Sequence, residues 1–455
     1  MSYEQLLAKI QNFQANICVV GLGQVGLPTA LTFAKQGYKV YGYDIDKSLI
    51  NSLSQKQSLF EEEGIQELIS KTIENRKFEP NDSLSYCVNK SEIIIICVAT
   101  PTTSNVQPNL SFLENASKSL GELDLQEKLV IIESSIPPGT FKDFVLPIIT
   151  QNSILGKNFW AAYVPERLSP GQAFSEIQET PRIIGNEDRQ SGDLAKSLYQ
   201  NIVNSEIILT NSKIAELSKL VENTYRDVNI AFANEISLIC EKYEIDFAEL
   251  FKICNSHPRV NLHMAGPGVG GPCLPKDPYL LLNTIEGEKI ESKIITESRK
   301  INDFMPLHVS KLVTNALESQ GKSLNDSTVL ILGTAYKGNV SDTRFSPSKQ
   351  VIKDLQQKQC NVLVYEPLTI ETFGAEKINN LDRTVIENCD VIVVMTDHNE
   401  FKNININIFQ SMKKKPIIVD TKRIFNSKNI EKLGIIYISV GYVENSNLSN
   451  NMENF

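Results

Sequence analysis

The hexapeptide Gly21-Leu-Gly23-Gln-Val-Gly26 constrains this chain more than any other segment, because of what stands on either side of it. An apolar run, Ile-Cys-Val-Val, ends at Val20, and a helical pattern follows Gly26. A second apolar run, Tyr-Gly-Tyr-Asp, closes on Asp44 about twenty residues further on, the spacing of a dinucleotide-binding crossover. In that arrangement Gly21 permits a tight turn, Gly23 lets a pyrophosphate approach the backbone, and Gly26 allows helix and sheet to pack. The helix N-terminus then stabilises the phosphate charge, with Gln24 and Val25 in the turn, and Asp44 binds the ribose hydroxyls. An acid at Asp44 repels a 2′-phosphate, so the cofactor expected is NAD rather than NADP. The alternative is a glycine turn of purely structural purpose.

The strand that opens this motif belongs to a series. Asn16 to Val20, Lys39 to Tyr43, Glu92 to Val98 and Lys128 to Glu133 are apolar without polar alternation, as strands buried on both faces must be. Helical patterns separate them, which implies right-handed crossovers and a doubly wound parallel sheet. Thr328 to Leu332, Asn361 to Tyr365, Asp390 to Met395 and Pro416 to Val419 repeat the pattern near the C-terminus, but without a second GxGxxG, so that region should hold something other than a second dinucleotide. Between the two series, Ala215, Leu217, Leu220, Val221, Val228, Ala231, Phe232, Ile236 and Ile239 recur at helical spacing. No Pro or Gly interrupts them, so one helix of about thirty residues, ~45 Å long, is expected from Ser212.

Composition excludes several classes of function. The 455 residues suggest roughly three folding units at about 150 each. A formal charge of -9, from 45 Lys and Arg against 54 Asp and Glu, argues against nucleic acid as a partner. The longest apolar stretch, Ile93 to Ala99, falls far short of the ~20 residues that cross a bilayer, and the N-terminus lacks a signal-peptide core. A cytoplasmic protein without membrane partners is expected. The 8 cysteines show no CxxC spacing and the 4 histidines no HxxxH pair, so neither a disulfide framework nor a metal site is expected.

One cysteine has unusual surroundings. Gly266-Pro-Gly-Val-Gly-Gly-Pro-Cys273-Leu-Pro-Lys276-Asp277 sets glycines, a cation and a carboxylate around a thiol, a composition that a core strand or helix does not tolerate. Glycines allow a ligand close to the backbone, and neighbouring cations favour a nucleophilic thiolate. The bland reading is a glycine turn with an incidental buried Cys. Lys219 and Asn223 stand at i and i+4, on one face of the long helix, and suit a site where a negative oxygen develops. Glu166 follows Val-Pro at a strand end. Arg259, Lys337 and Arg344 are loop cations that as a set suit a diphosphate.

Taken in order, GLGQVG with Asp44, CVATP, ESSIPPGT, VPERLSPG, AELSKLVEN, GPGVGGPCLPKDP and LGTAYKGNVSDTRFSPS resemble the UDP-glucose and UDP-N-acetylmannosamine dehydrogenase family, from about Asn16 to about Gly441. The resemblance implies an α/β protein with a Rossmann-type NAD-binding domain over residues 1–205 and a central helical dimerisation domain over 206–322. A Rossmann-like UDP-sugar-binding domain over 323–445 and a disordered tail over 446–455 complete it, and the expected assembly is a homodimer or larger homo-oligomer. The implied reaction is a four-electron oxidation of a UDP-sugar at C6, with two NAD reduced in succession. Cys273 forms a thiohemiacetal and then a thioester, Glu166 activates water with help from Asp277, and Lys219 and Asn223 stabilise oxyanions.

By the same resemblance Gln24, Val25, Thr100, Ser135, Lys276 and Arg344 join the glycines and Asp44 around NAD. Arg167, Leu168, Lys219, Asn223, Arg226, His257, Arg259, Gly270, Tyr336 and Lys337 would contact the UDP-sugar. YRDVNIAFANE and HPRVN are similar to the branch acting on N-acetylated hexosamines, whereas Pro272 stands where that branch has His, and Lys276 before Asp277 is more similar to the glucose branch. UDP-N-acetylmannosamine is the expected substrate, with UDP-N-acetylglucosamine and UDP-glucose as alternatives. Further departures are Ser135 for Thr, Phe345 for Glu and Glu366 for Asp. Two other classes remain open at this point: a single-step β-hydroxyacid dehydrogenase without a Cys adduct, and a non-catalytic NAD or UDP-sugar-binding paralogue.

Overall fold

A computed structural model describes residues 1–59, 62–103, 107–150, 153–285, 290–413 and 415–443. The tail expected over 446–455 lies outside the described residues. The chain forms two compact units, Met1–Glu222 with Tyr279–Lys289, and Asn223–Pro278 with Ile290 onward.

In the first unit, the described strands β1 (Asn16–Val20), β2 (Lys39–Tyr43), β3 (Phe78–Asn81), β4 (Ile93–Ile96), β5 (Leu129–Ile132), β6 (Trp160–Tyr163), β7 (Arg182–Asn186) and β8 (Ile207–Thr210) form one sheet. Their order is β3-β2-β1-β4-β5-β6-β7-β8, and every pairing is parallel except β6 with β7. The strands lack polar alternation because both faces are covered. Ile93 and Ile95 feed one apolar cluster while Ile94 and Ile96 feed the cluster on the opposite face, each side chain contributing about 1.5–3 kcal/mol on burial. Strand order reverses between β1 and β4, which opens a crevice at their C-terminal ends.

The second unit repeats this plan with β9 (Thr328–Leu332), β10 (Asn361–Tyr365), β11 (Glu376–Lys377), β12 (Val391–Val394), β13 (Ile417–Asp420), β14 (Ile436–Ser439) and β15 (Tyr442–Val443). Their order is β11-β10-β9-β12-β13-β14-β15, with the switch point between β9 and β12. Apolar clusters again cover both faces. All eight strands expected from the sequence are present, and four of them, β1, β2, β9 and β10, have the expected bounds.

The long helix runs Ser212–Lys242, 31 residues, as its unbroken pattern requires. Its apolar set splits between two faces: Ala215, Leu220 and Ala231 are buried, while Leu217, Val221, Phe232 and Ile239 are 40–54% exposed. A second long helix, Lys293–Ser319, carries Pro306 in its interior. Among the described residues no helix is long and apolar enough to cross a membrane.

Candidate active site

In the first unit the glycine motif folds as its spacing requires. Gly21 follows β1 with φ +89° and donates its N–H to the Tyr43 carbonyl at 2.8 Å. A side chain at Gly26 would sit 1.8 Å from the Gly21 carbonyl oxygen, so the turn closes only with glycine there. A side chain at Gly23 would meet nothing within 4 Å, which leaves open the approach that a pyrophosphate needs. The helix Gly26–Lys35 is N-capped by Val25 without a side-chain cap; the Leu27 amide returns to the Gly23 carbonyl at 3.1 Å and Pro28 has no N–H, so of its first three residues only Gly26 has an amide to offer a phosphate oxygen. Asp44 accepts hydrogen bonds from the amides of Leu22 at 2.7 Å and Asp46 at 2.9 Å. Thr100, beyond β4, donates its hydroxyl to the Ser135 carbonyl at 2.6 Å and so ties together two strand-end loops of the same crevice. This arrangement fits an NAD pyrophosphate, which the Gly21 to Gly26 turn would hold, and Asp44 would be the acceptor for ribose hydroxyls.

Glu166 occupies the loop after β6, as its sequence context suggests, but it is buried. It pairs with Arg182, itself 2% exposed, and accepts from the Arg167 amide at 2.7 Å. Arg182 lies over the Tyr199 ring, and the Tyr199 hydroxyl donates to Glu133 at 2.5 Å. Burial first, and then the charge of Glu166, pushes the Glu133 carboxyl up to about 7. A carboxylate held by a guanidinium is a poor base until the pair opens, so any basic role for Glu166 passes through Arg182. Sequence reasoning missed both Arg182 and Glu133; the available signal was a charged residue at the edge of an apolar strand.

Arg167 is committed to Glu222 and to the Pro181 carbonyl, the latter at 2.8 Å. The Leu168 side chain is partly buried and packs against the core of the unit. Lys219 and Asn223 lie one turn apart on the long helix, and both are buried.

In the second unit, the Cys273 segment runs without regular structure into the helix Asp277–Asn283. The Cys273 carbonyl accepts the amides of Lys276 at 3.0 Å and Asp277 at 2.8 Å, which fixes the cysteine on a tight turn. The Asn223 amide donates to Asp277 at 2.6 Å, and the Lys276 ammonium lies 3.5 Å from the other Asp277 oxygen. Asn223 retains its second N–H for another acceptor.

Two of the glycines are required by packing. A side chain at Gly270 or Gly271 would come within 2.7 Å of Tyr336, and the Gly271 amide donates to the Arg344 carbonyl at 2.9 Å. The loop is thereby pressed onto the segment that carries Tyr336 and Arg344. Burial first, then the charges of Asp342 and of a Cys273 thiolate, pushes the Tyr336 hydroxyl up to about 12. Burial works against the Arg344 guanidinium, but Asp342 and Cys273 outweigh it and raise its pKa. That attraction is mutual, so Arg344 stabilises negative charge on the sulfur. The thiol itself is only partly buried.

Past β9, the loop through Lys337 packs on the loop after β12. The Gly338 amide donates to Asp397 at 3.2 Å and the Asn339 amide to His398 at 2.9 Å. Arg226, His257 and Arg259 are exposed, away from regular packing. Among the described residues no group of three or more His, Cys, Asp or Glu is placed to hold a metal ion.

A doubly wound domain with an open glycine turn and an acid after its second strand, a further α/β domain, and a partly buried cysteine on a glycine loop together define a nucleotide-dependent dehydrogenase. The chain belongs to the UDP-glucose/GDP-mannose dehydrogenase family. That family's NAD-binding domain matches residues 15–203, its central domain residues 213–304 and its UDP-binding domain residues 330–427. It is thus an NAD-dependent oxidoreductase. The chain is 38% identical over 427 residues to the UDP-N-acetyl-D-mannosamine dehydrogenase of Pyrococcus horikoshii, covering 93% of this chain and 99% of that one. The solved structure of UDP-N-acetyl-D-mannosamine dehydrogenase from Pyrococcus horikoshii superposes with a TM-score of 0.86 at 37% identity, covering 94% and 99% of the two chains. The UDP-N-acetyl-mannosamine dehydrogenase of Staphylococcus aureus gives 0.81 at 33% identity, covering 94% and 98%.

Proposed function

We propose that this enzyme oxidises UDP-N-acetyl-D-mannosamine at C6 to the uronate through a covalent adduct on Cys273. The observation that carries the reading is a partly exposed thiol fixed on a tight turn by two backbone hydrogen bonds to its carbonyl. Nicotinamide supplies the hydride acceptor, twice per turnover. The first oxidation removes a hydride and a proton from the C6 alcohol and leaves an aldehyde. The Cys273 sulfur adds to the aldehyde carbon, giving a thiohemiacetal that cannot diffuse away. Loss of its hydride and its hydroxyl proton leaves a thioester; water then adds to the carbonyl carbon and gives up a proton, the C–S bond breaks, and the thiolate is restored.

Lys219 and the remaining N–H of Asn223 stabilise the oxyanions by charge and hydrogen bonding. Glu166 is the base for water once its pair with Arg182 opens, and Asp277 orients Asn223. Gly270, Tyr336, Lys337, Arg226, His257 and Arg259 are assigned to the nucleotide sugar, and Lys276, Thr100 and Ser135 to the cofactor. The domains are placed at 1–205, 206–322 and 323–445. We further propose a homodimer, supported in the second unit by Tyr225, Phe232 and Ile239, which stand 48–58% exposed along one helix. A cytoplasmic location is supported by eight cysteines that are all free.

The test mixes pure protein with NAD and, separately, UDP-N-acetylmannosamine, UDP-N-acetylglucosamine and UDP-glucose, reading absorbance. The first should react fastest and give about two NADH per uronate, and Cys273→Ser should stall after one oxidation or release aldehyde. Faster turnover of another sugar reassigns the substrate, and silence across the panel favours a non-catalytic paralogue.

A further inference from the structure

We propose that Asn234 and Asn302 are positioning residues for Cys273, holding the stem of its loop on the two long helices of the second unit. Neither belongs to the site assigned above. Asn234, on the helix Ser212–Lys242, accepts the Gly266 amide at 2.9 Å and donates to the side chain of Asn302 at 3.0 Å. Asn302, on the helix Lys293–Ser319, donates in turn to the backbone and the carboxylate of Asp227, each at 2.9 Å. Arg299 closes the chain with a 2.6 Å hydrogen bond to the same carboxylate. Asn234 and Asn302 are at most 1% exposed, and Asp227 and Arg299 are buried with them. Buried amides carry a heavy desolvation cost unless fully paired, so such a chain defines one geometry rather than adding much stability.

A second contact holds the same stem. Proline at 306 has no N–H to return to the Asn302 carbonyl, as an ordinary helical residue would. That carbonyl lies 3.0 Å from where a Gly268 side chain would be, and the Pro306 ring 3.1 Å from it. Gly268 therefore fits a notch that only a residue without a side chain can enter, at φ +115°. Beyond it the loop has no regular structure before Asp277, and its glycines give it more freedom to lose than any other segment of this length. The sulfur lies seven residues past Gly266. A bond-forming nucleophile displaced by about 1 Å loses on the order of 100-fold in rate. The Asn234 and Asn302 chain anchors one end of the loop, while the Gly271 and Asp277 hydrogen bonds anchor the other.

The inference rests on the proposed role of Cys273, and the experiment separates the two. Asn234→Ala should lower kcat about 10- to 100-fold with KM for NAD changed by less than about 3-fold. It should also release aldehyde, trapped by semicarbazide, so that NADH exceeds two per uronate. Slower alkylation of Cys273 by iodoacetamide, or loss of its selectivity over the other cysteines, should accompany this. Gly268→Ala leaves the amide chain untouched and should give the same leakage by lifting the stem off the notch; it decides the matter if Asn234→Ala does not fold. Folded variants that keep wild-type kcat and two NADH per uronate would overturn the positioning role while leaving the Cys273 mechanism standing. Full conversion to uronate by Cys273→Ser would remove the mechanism itself.

Discussion

The two sheets are built on one plan and end differently. Each runs through its first strand in the same order, β3-β2-β1-β4-β5 in one and β11-β10-β9-β12-β13 in the other. Each closes its second strand with a carboxylate that accepts amides from the first crossover loop, Asp44 from Leu22 and Glu366 from Thr334 and Ala335. Asp44 stays half-buried at the edge of the crevice, whereas Glu366 is 2% exposed and also takes the Leu368 amide and His398. Burial opposes ionisation of Glu366, but His398 and these amides hold its carboxyl below the usual range. A side chain at Gly23 would meet only open space, whereas one at Gly21 or at its counterpart Gly333 would strike the loop after the neighbouring strand, Cys97 at 2.9 Å and Thr396 at 2.3 Å. Topology fixes where a ligand goes, and the side chains at the switch point decide which one.

The comparison can be broken first at the glycines of the first sheet. Gly26→Ala should abolish NADH formation, because its side chain cannot coexist with the Gly21 carbonyl. Gly23→Ala should fold with a wild-type melting temperature and lose NAD affinity about tenfold or more, as calorimetric titration would register. Equal effects of the two would mean that the open space is not a ligand's.

A smaller and opposite pair sits at the two acids. Glu366→Ala should destabilise the protein by about 3–5 kcal/mol, since it orphans a buried histidine and three amides, and it should leave NAD affinity intact. Asp44→Ala should cost only about 1 kcal/mol of stability while raising the KM for NAD roughly tenfold. Urea melts and cofactor titrations of both variants would show whether one acid is a brace and the other a ligand.

Smallest is a pH effect at the matching strand ends, where Glu133 after β5 receives Tyr199 and Asp420 at the end of β13 receives Tyr437. A carboxyl raised to about 7 in the native state keeps its proton where the unfolded chain has lost it. Its contribution is therefore complete below about pH 4.5 and fades as pH rises through about 7, by roughly 2 kcal/mol between pH 5 and 7. Glu133→Gln should flatten the fall in stability over that window, and an unchanged slope in chemical melts would show that the burial of Glu133 does not govern it.

Much of this was written in the sequence, for physical reasons that can be named. Strands β1, β2, β9 and β10 are long apolar runs bounded by turn residues, so their ends were legible. Strands β6, β7 and β8 were not named: β6 and β8 have only 4 residues each, and β7 begins with the buried Arg182, whose charge reads as surface until Glu166 is seen beside it. Cys273 stood out because its surroundings suit no core element. Asn234 and Asn302 did not, since they are ordinary helix residues whose meaning lies in a partner 68 positions away. The split of the long helix's apolar set between buried and exposed faces was likewise hidden, because periodicity reports spacing and not what covers a face.

Asp44 carries one last implication, for anyone who would retune this enzyme to the phosphorylated cofactor. Its carboxylate is also a structural clasp on the glycine turn, through the Leu22 amide. Swapping the acid for a small neutral residue to admit an extra phosphate would slacken the turn that must grip the rest of the molecule. A successful redesign has to restore that acceptor from somewhere else, so selectivity and grip cannot be altered independently at this position.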